Sequence, residues 1–185
     1  MNNKLTIPNF QPGSTAGPFN LPTGFYTIAL YPAGANPATT APIVNTPVGI
    51  SATLAPTSIV ARLDSNGKPT LQPIVESLDF TDFPGEGMLS IRNVSTVAYP
   101  VAFACVAPVG TPNKFVTQNF NEYVKAGKYE VRIVPFGATD CSNPLATTTV
   151  TVQSEVDLNV YLVGSQSANT LQIIAQPLPD QGNDR

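Results

Sequence analysis

The side chains able to do chemistry are few, and their spacing suits almost none of it. The chain has 185 residues and no histidine, so the commonest general base and the usual nucleophile triads are missing. Carboxylates are the remaining candidates. Asp79, Asp82 and Glu86 cluster and could offer oxygen ligands to Ca²⁺, with solvated linker charge as the other reading. Glu155 and Asp157 straddle one residue, which places them on one strand face at a solvated edge. No glycine-rich loop follows a strand and opens a helix, so a phosphate cradle has no support. Two cysteines without histidine do not make a zinc site. Cys105 and Cys141 are expected to form a disulfide, the alternative being two free buried thiols. Asn93-Val94-Ser95 is a formal glycosylation sequon at a strand end. The expectation is a protein that is not an enzyme and needs no cofactor or metal.

The elements that hold these residues are written twice. Thr70-Leu71-Gln72-Pro73-Ile74 matches Thr170-Leu171-Gln172-Ile173-Ile174, and Thr23-Gly24-Phe25-Tyr26 matches Ala126-Gly127-Lys128-Tyr129. Pro32-Ala33-Gly34-Ala35 matches Pro135-Phe136-Gly137-Ala138, and Lys4-Leu5 with Asn9-Phe10 matches Lys114-Phe115 with Asn119-Phe120. Nothing in the first copy corresponds to residues 88–113, which read as two strands in the second. Internal repetition of this kind fixes architecture before propensity does.

The second copy reads as seven strands, at 88–93, 100–107, 115–120, 128–135, 145–152, 157–163 and 171–175. The fourth is the clearest, because Tyr129, Val131 and Ile133 alternate with Lys128, Glu130 and Arg132. Its counterpart in the first copy, 25–31, keeps Tyr26, Ile28 and Leu30 inward. The outward positions there are Phe25, Thr27 and Ala29, so a wet face has become apolar. Such a face marks either a contact surface or a packing site for a neighbouring loop. Residues 58–63 and 70–76 form a hairpin across Asp64-Ser65-Asn66-Gly67, since Asn-Gly supplies the positive φ angles that such turns favour. Phe80 and Phe83, at the joint between the copies, could wedge between the two domains.

Composition agrees with many short strands. Only 11% of residues are charged, against about 25% in ordinary soluble domains, and 19 Pro and 13 Gly are scattered through the chain. A net charge of −3 with no basic stripe excludes nucleic acid as a partner. No apolar run is long enough to span a bilayer as a helix, and Met1-Asn2-Asn3-Lys4 does not open a signal peptide. Between Lys4 and Arg62 there is no charged residue at all, which suits either an extracellular Thr/Asn/Pro-rich surface or one covered by a partner. Tryptophan is absent, leaving Tyr31, Tyr99 and Tyr123 as aromatic residues that a glycan could reach.

The runs Leu21–Leu30 and Ala126–Val131 resemble the "LPAGTYTVRV" core of a bacterial repeat family of unknown function. Residues 124–178 cover its most specific part, and 5–78 repeat it. The family's opening "HASPDAPAVDVYVNG" corresponds to 93–103, where Asn93 stands for the His and both acidic positions are lost. The first copy begins at the family's "NGKL" point, Asn2-Asn3-Lys4-Leu5. The resemblance implies tandem β-sandwich modules in secreted or surface-anchored proteins and supplies no catalytic residue.

The expected fold is all-β, with two tandem antiparallel β-sandwich (immunoglobulin-like) modules, the first lacking its first two strands. Residues 1–78 form the incomplete repeat, 79–87 the linker and 88–185 the complete repeat. The expected role is a secreted or cell-surface structural or adhesive protein. It would assemble with other copies of itself through strand complementation, into an oligomer or filament. Leu5, Ile7, Phe10, Phe25, Ala29 and Tyr31 are the expected interface, with 5–10 or the tail near 175–181 as donor strand. The alternative is a monomeric extracellular module that binds a surface glycan.

Overall fold

The computed structural model describes residues 7–8, 10–51, 56–64, 66–76, 83–96, 103–112, 114–116 and 121–178. Among them the chain forms strands and no helix. It divides into two compact units, Met1–Ser77 and Leu78–Arg185.

The second unit is a sandwich of two four-stranded sheets, ordered β10-β9-β6-β7 and β12-β11-β5-β8. Its strands are β5 (Glu86–Asn93), β6 (Phe103–Pro108), β7 (Lys114–Val116), β8 (Asn121–Lys125), β9 (Gly127–Val134), β10 (Ala146–Val152), β11 (Asp157–Val163) and β12 (Gln172–Leu178). All pairings are antiparallel except β11 with β5. The core is the alternate face of each central strand. Leu89 and Ile91 of β5, Ala104 and Val106 of β6, Tyr129, Val131 and Ile133 of β9, and Leu158, Val160 and Leu162 of β11 form one buried cluster. Gly87 is required where β5 passes the turn before β11, because a Cβ there would lie 2.3 Å from the Gln153 carbonyl oxygen.

Three expectations differ from the structure. Among the described residues the second unit has eight strands, not seven. β8 was read as connection, because Asn121, Glu122 and Lys125 hide the pattern of a five-residue strand. The linker was placed at 79–87, yet β5 starts at Glu86, held by bonds from Ala126 N to Gly85 O (2.8 Å) and Glu155 N to Glu86 O (2.8 Å). Glu155 and Asp157 do not share a solvated face. Glu155 sits in a turn at φ 60°, and Asp157 is buried at the start of β11.

The first unit contains two hairpins, each a two-stranded sheet. One joins β1 (Gly24–Leu30) to β2 (Val44–Ile50), and the other joins β3 (Thr57–Leu63) to β4 (Pro69–Val75). The Asp64 carboxylate closes the second turn by accepting from Asn66 N (2.8 Å) and Lys68 N (2.9 Å).

A candidate assembly surface

The β1-β2 hairpin is the β9-β10 hairpin over again. Gly24 pairs with Ile50 and Leu30 with Val44; in the second unit Gly127 pairs with Val152 and Ile133 with Ala146. Tyr26 donates its hydroxyl to the Pro22 carbonyl (2.6 Å), as Tyr129 does to that of Lys125 (2.8 Å). Each hairpin's first strand ends on a matching backbone bond, Ile43 N to Leu30 O and Leu145 N to Ile133 O. Both then turn through a glycine at positive φ, Gly34 and Gly137.

What differs is what surrounds the hairpin. In the second unit, β9 lies between β10 and β6, and β11 lies between β12 and β5. No described strand of the first unit takes the place of β5 or β6, so β1 pairs only β2 and β3 pairs only β4. Burial follows. Val131 and Ile133 are 0% and 1% exposed, whereas their counterparts Ile28 and Leu30 are half-buried. Val48 and Leu71 are the buried hydrophobic residues of the first unit among those described.

The β3-β4 hairpin is less regular. Val60, Arg62 and Gln72 share a half-buried face, and Arg62 Nε and Gln72 Oε1 are buried there without a hydrogen-bond partner. The opposite face exposes Leu63 and Val75. The matched Thr-Leu-Gln segments occupy different places. Thr70, Leu71 and Gln72 lie inside β4, whereas Thr170 closes the loop before β12 through bonds with Ser165. The first hairpin loop runs 64–68 and the second 164–171. An odd difference in loop length moves a motif to the other face of a strand.

The expected interface residues fall into two groups. Phe25 is 95% exposed on the outward face of β1, opposite Gly49, with Ala29 and then Tyr31 half-buried beyond it. Ile7 and Phe10 are exposed and lie outside any strand, so among the described residues 5–10 contribute no donor strand. Leu5 lies outside the described residues; of the tail named as the other donor, 175–178 already form the end of β12, paired with β11, and 179–181 lie outside. Pro47 and Gly49, which the sequence alone does not mark as part of this surface, continue its apolar outward side across β2. Their strand could have been found as the partner required by the repeat.

No family model, curated protein or solved structure matches this chain.

The chemistry-bearing residues serve the fold. Cys105 of β6 is bonded to Cys141 of the β9–β10 loop, as expected. Arg132, beside Cys105 in the ladder, donates to the Cys141 carbonyl (3.3 Å) and pairs with Glu130 (2.8 Å). No cluster of three or more metal-ligating side chains occurs among the described residues, while Asp79, Asp82 and Phe80 lie outside them. The sequon is a turn. Asn93 Oδ1 accepts from Ser95 N (3.0 Å) and Ser95 Oγ (2.6 Å), and Val94 and Ser95 are buried. Hydrogen bonds from the Ser142 hydroxyl and backbone hold the Asp140 carboxyl below its usual range, and those from Lys68 and Asn66 do the same for Asp64. Desolvation pushes the Tyr129 phenol upward. Tyr123 packs edge-on against Phe83 at 4.8 Å, with Phe83 exposed; Tyr99 lies outside the described residues.

Proposed function

We propose that this chain is a secreted or surface-exposed structural protein, without enzymatic activity, that assembles by β-strand complementation. One observation carries the reading. The first unit repeats the hairpins of a complete sandwich while its described strands leave the β5 and β6 positions empty. Open strand edges and half-buried inward faces are what an added strand satisfies, through main-chain hydrogen bonds and apolar burial. The disulfide supports an oxidising compartment. The exposed Phe25 supports a contact on the same hairpin.

Size-exclusion chromatography with light scattering, followed by negative-stain microscopy, tests the proposal. Particles heavier than the 19.5 kDa of one chain, growing with concentration, are the expected result. A monomer at every concentration would end the assembly reading.

A further inference from the structure

The two hairpins of the first unit are not open on all sides, and their prolines show which sides are closed. Antiparallel ladders alternate between hydrogen-bonded and non-bonded pairs. Pro47 of β2 stands opposite Thr27, and Pro73 of β4 stands opposite Ile59. Proline has no N–H to give, so both are non-bonded pairs, and every second pair from them is non-bonded too. In β1 this turns the backbone N–H and C=O of Phe25, Thr27 and Ala29 away from β2. In β3 it turns those of Thr57, Ile59, Ala61 and Leu63 away from β4.

Prolines also interrupt the outer edges of β2 (Pro47) and β4 (Pro69, Pro73), whereas β1 and β3 contain none. Proline at an edge is one of the devices that stop further strands from adding. The first unit is therefore blunted along β2 and β4, with complete rows of donors and acceptors along β1 and β3.

We infer that the occupant of these rows is the first unit of a second copy, related by a twofold axis. Like the reading above, this rests on strand complementation, and it names the partner and the geometry. A twofold axis normal to both sheets sets β1 antiparallel to its mate and β3 antiparallel to its own. The result is one sheet ordered β2-β1-β1-β2 over another ordered β4-β3-β3-β4. Two half-sandwiches of two-stranded sheets make one sandwich of four-stranded sheets, the strand number of the second unit. An axis through Thr27 pairs all three outward residues of β1, with Phe25 opposite Ala29 of the second copy.

Along β1 charge permits a self-match, since no charged side chain occurs on β1 or β2, and β3 carries a single one, Arg62. The half-buried Tyr26, Ile28 and Leu30 gain the cover that β5 and β6 give the second unit. The outer edges of the joined sheets are then β2 and β4, and proline stops growth at two.

Two variants at Thr27, which is exposed and whose backbone faces away from β2, test the geometry. Thr27→Cys places two sulfurs across the axis on residues about 5.5 Å apart, within disulfide range. Oxidation should yield a covalent dimer that thiol reductant reverses, in a sample whose mass is twice 19.5 kDa. Thr27→Pro removes the central donor of the row and should shift the mass to that of one chain, with its circular dichroism still that of a folded β protein. Filaments or larger oligomers that neither variant alters would overturn the twofold pairing while keeping strand complementation. A wild-type monomer would overturn both.

Discussion

β1-β2 and β9-β10 share a register, a tyrosine bonded four residues back and a glycine turn, yet the inward face of one is mostly half-buried and that of the other almost sealed. Pairing, turn and tyrosine bond are thus local properties, written into each hairpin and reproduced without the rest of the sandwich. Burial is not local. Val131 and Ile133 are dry because β5, β6 and β11 complete a core around them. Ile28 and Leu30 have the same pattern and no described strand in the β5 and β6 positions.

The contrast can be tested by substitution, beginning with the core. Ile133→Ala should destabilise the second unit by about 2–5 kcal/mol, measured by denaturant unfolding, because it empties a filled core. Leu30→Ala at the matching position should cost clearly less at low protein concentration. Its cost should rise with concentration as assembly covers the face. Equal costs at high dilution would mean that the first unit is already closed.

Cys141→Ser should come next in size. Loop-closure entropy over the 36-residue separation predicts a loss of roughly 3–4 kcal/mol, confined to the second unit's transition. The first unit's melting should not move. A shift in both transitions would show that the units do not unfold independently.

The smallest effect sharpens the comparison at a single bond. Tyr129→Phe removes a hydrogen bond within a buried site and should cost about 1 kcal/mol. Tyr26→Phe removes the same bond at a half-buried, more accessible position and should cost less, with the difference read from denaturation midpoints. If Tyr26→Phe cost more, the tyrosine bond would owe its strength to something other than burial.

Much of this was legible from the residues. β9 and β11 were found almost to the residue, because Tyr129, Val131 and Ile133 or Leu158, Val160 and Leu162 recur with period two. The disulfide was legible from composition. β2 was not singled out, because Pro47 and Gly49 lower its strand signal although both suit an edge. β8 was lost to its polar ends. β12 was stopped short at Ala175, although the strand runs on to Leu178 through Pro177. The face on which Leu71 lies was beyond reach, since it depends on the length of a loop and not on the motif. Of the candidate surface, Phe25 and Ala29 were visible as a loss of charge relative to Lys128 and Arg132. The direction of the open edges was not, because it needs the pairing of Pro47 with Thr27.

The Cys105–Cys141 bond has a mechanical side. A chain pulled from its ends pays out about 3.3–3.6 Å per residue once its strands separate. The bond spans 36 residues, so about 120 Å of contour in the second unit stays out of the load path until a reductant opens it. No disulfide falls in the first unit, since both cysteines belong to the second. Under tension the first unit can pay out its whole length while the second holds back its bonded loop, so thiol chemistry sets how far the molecule can stretch.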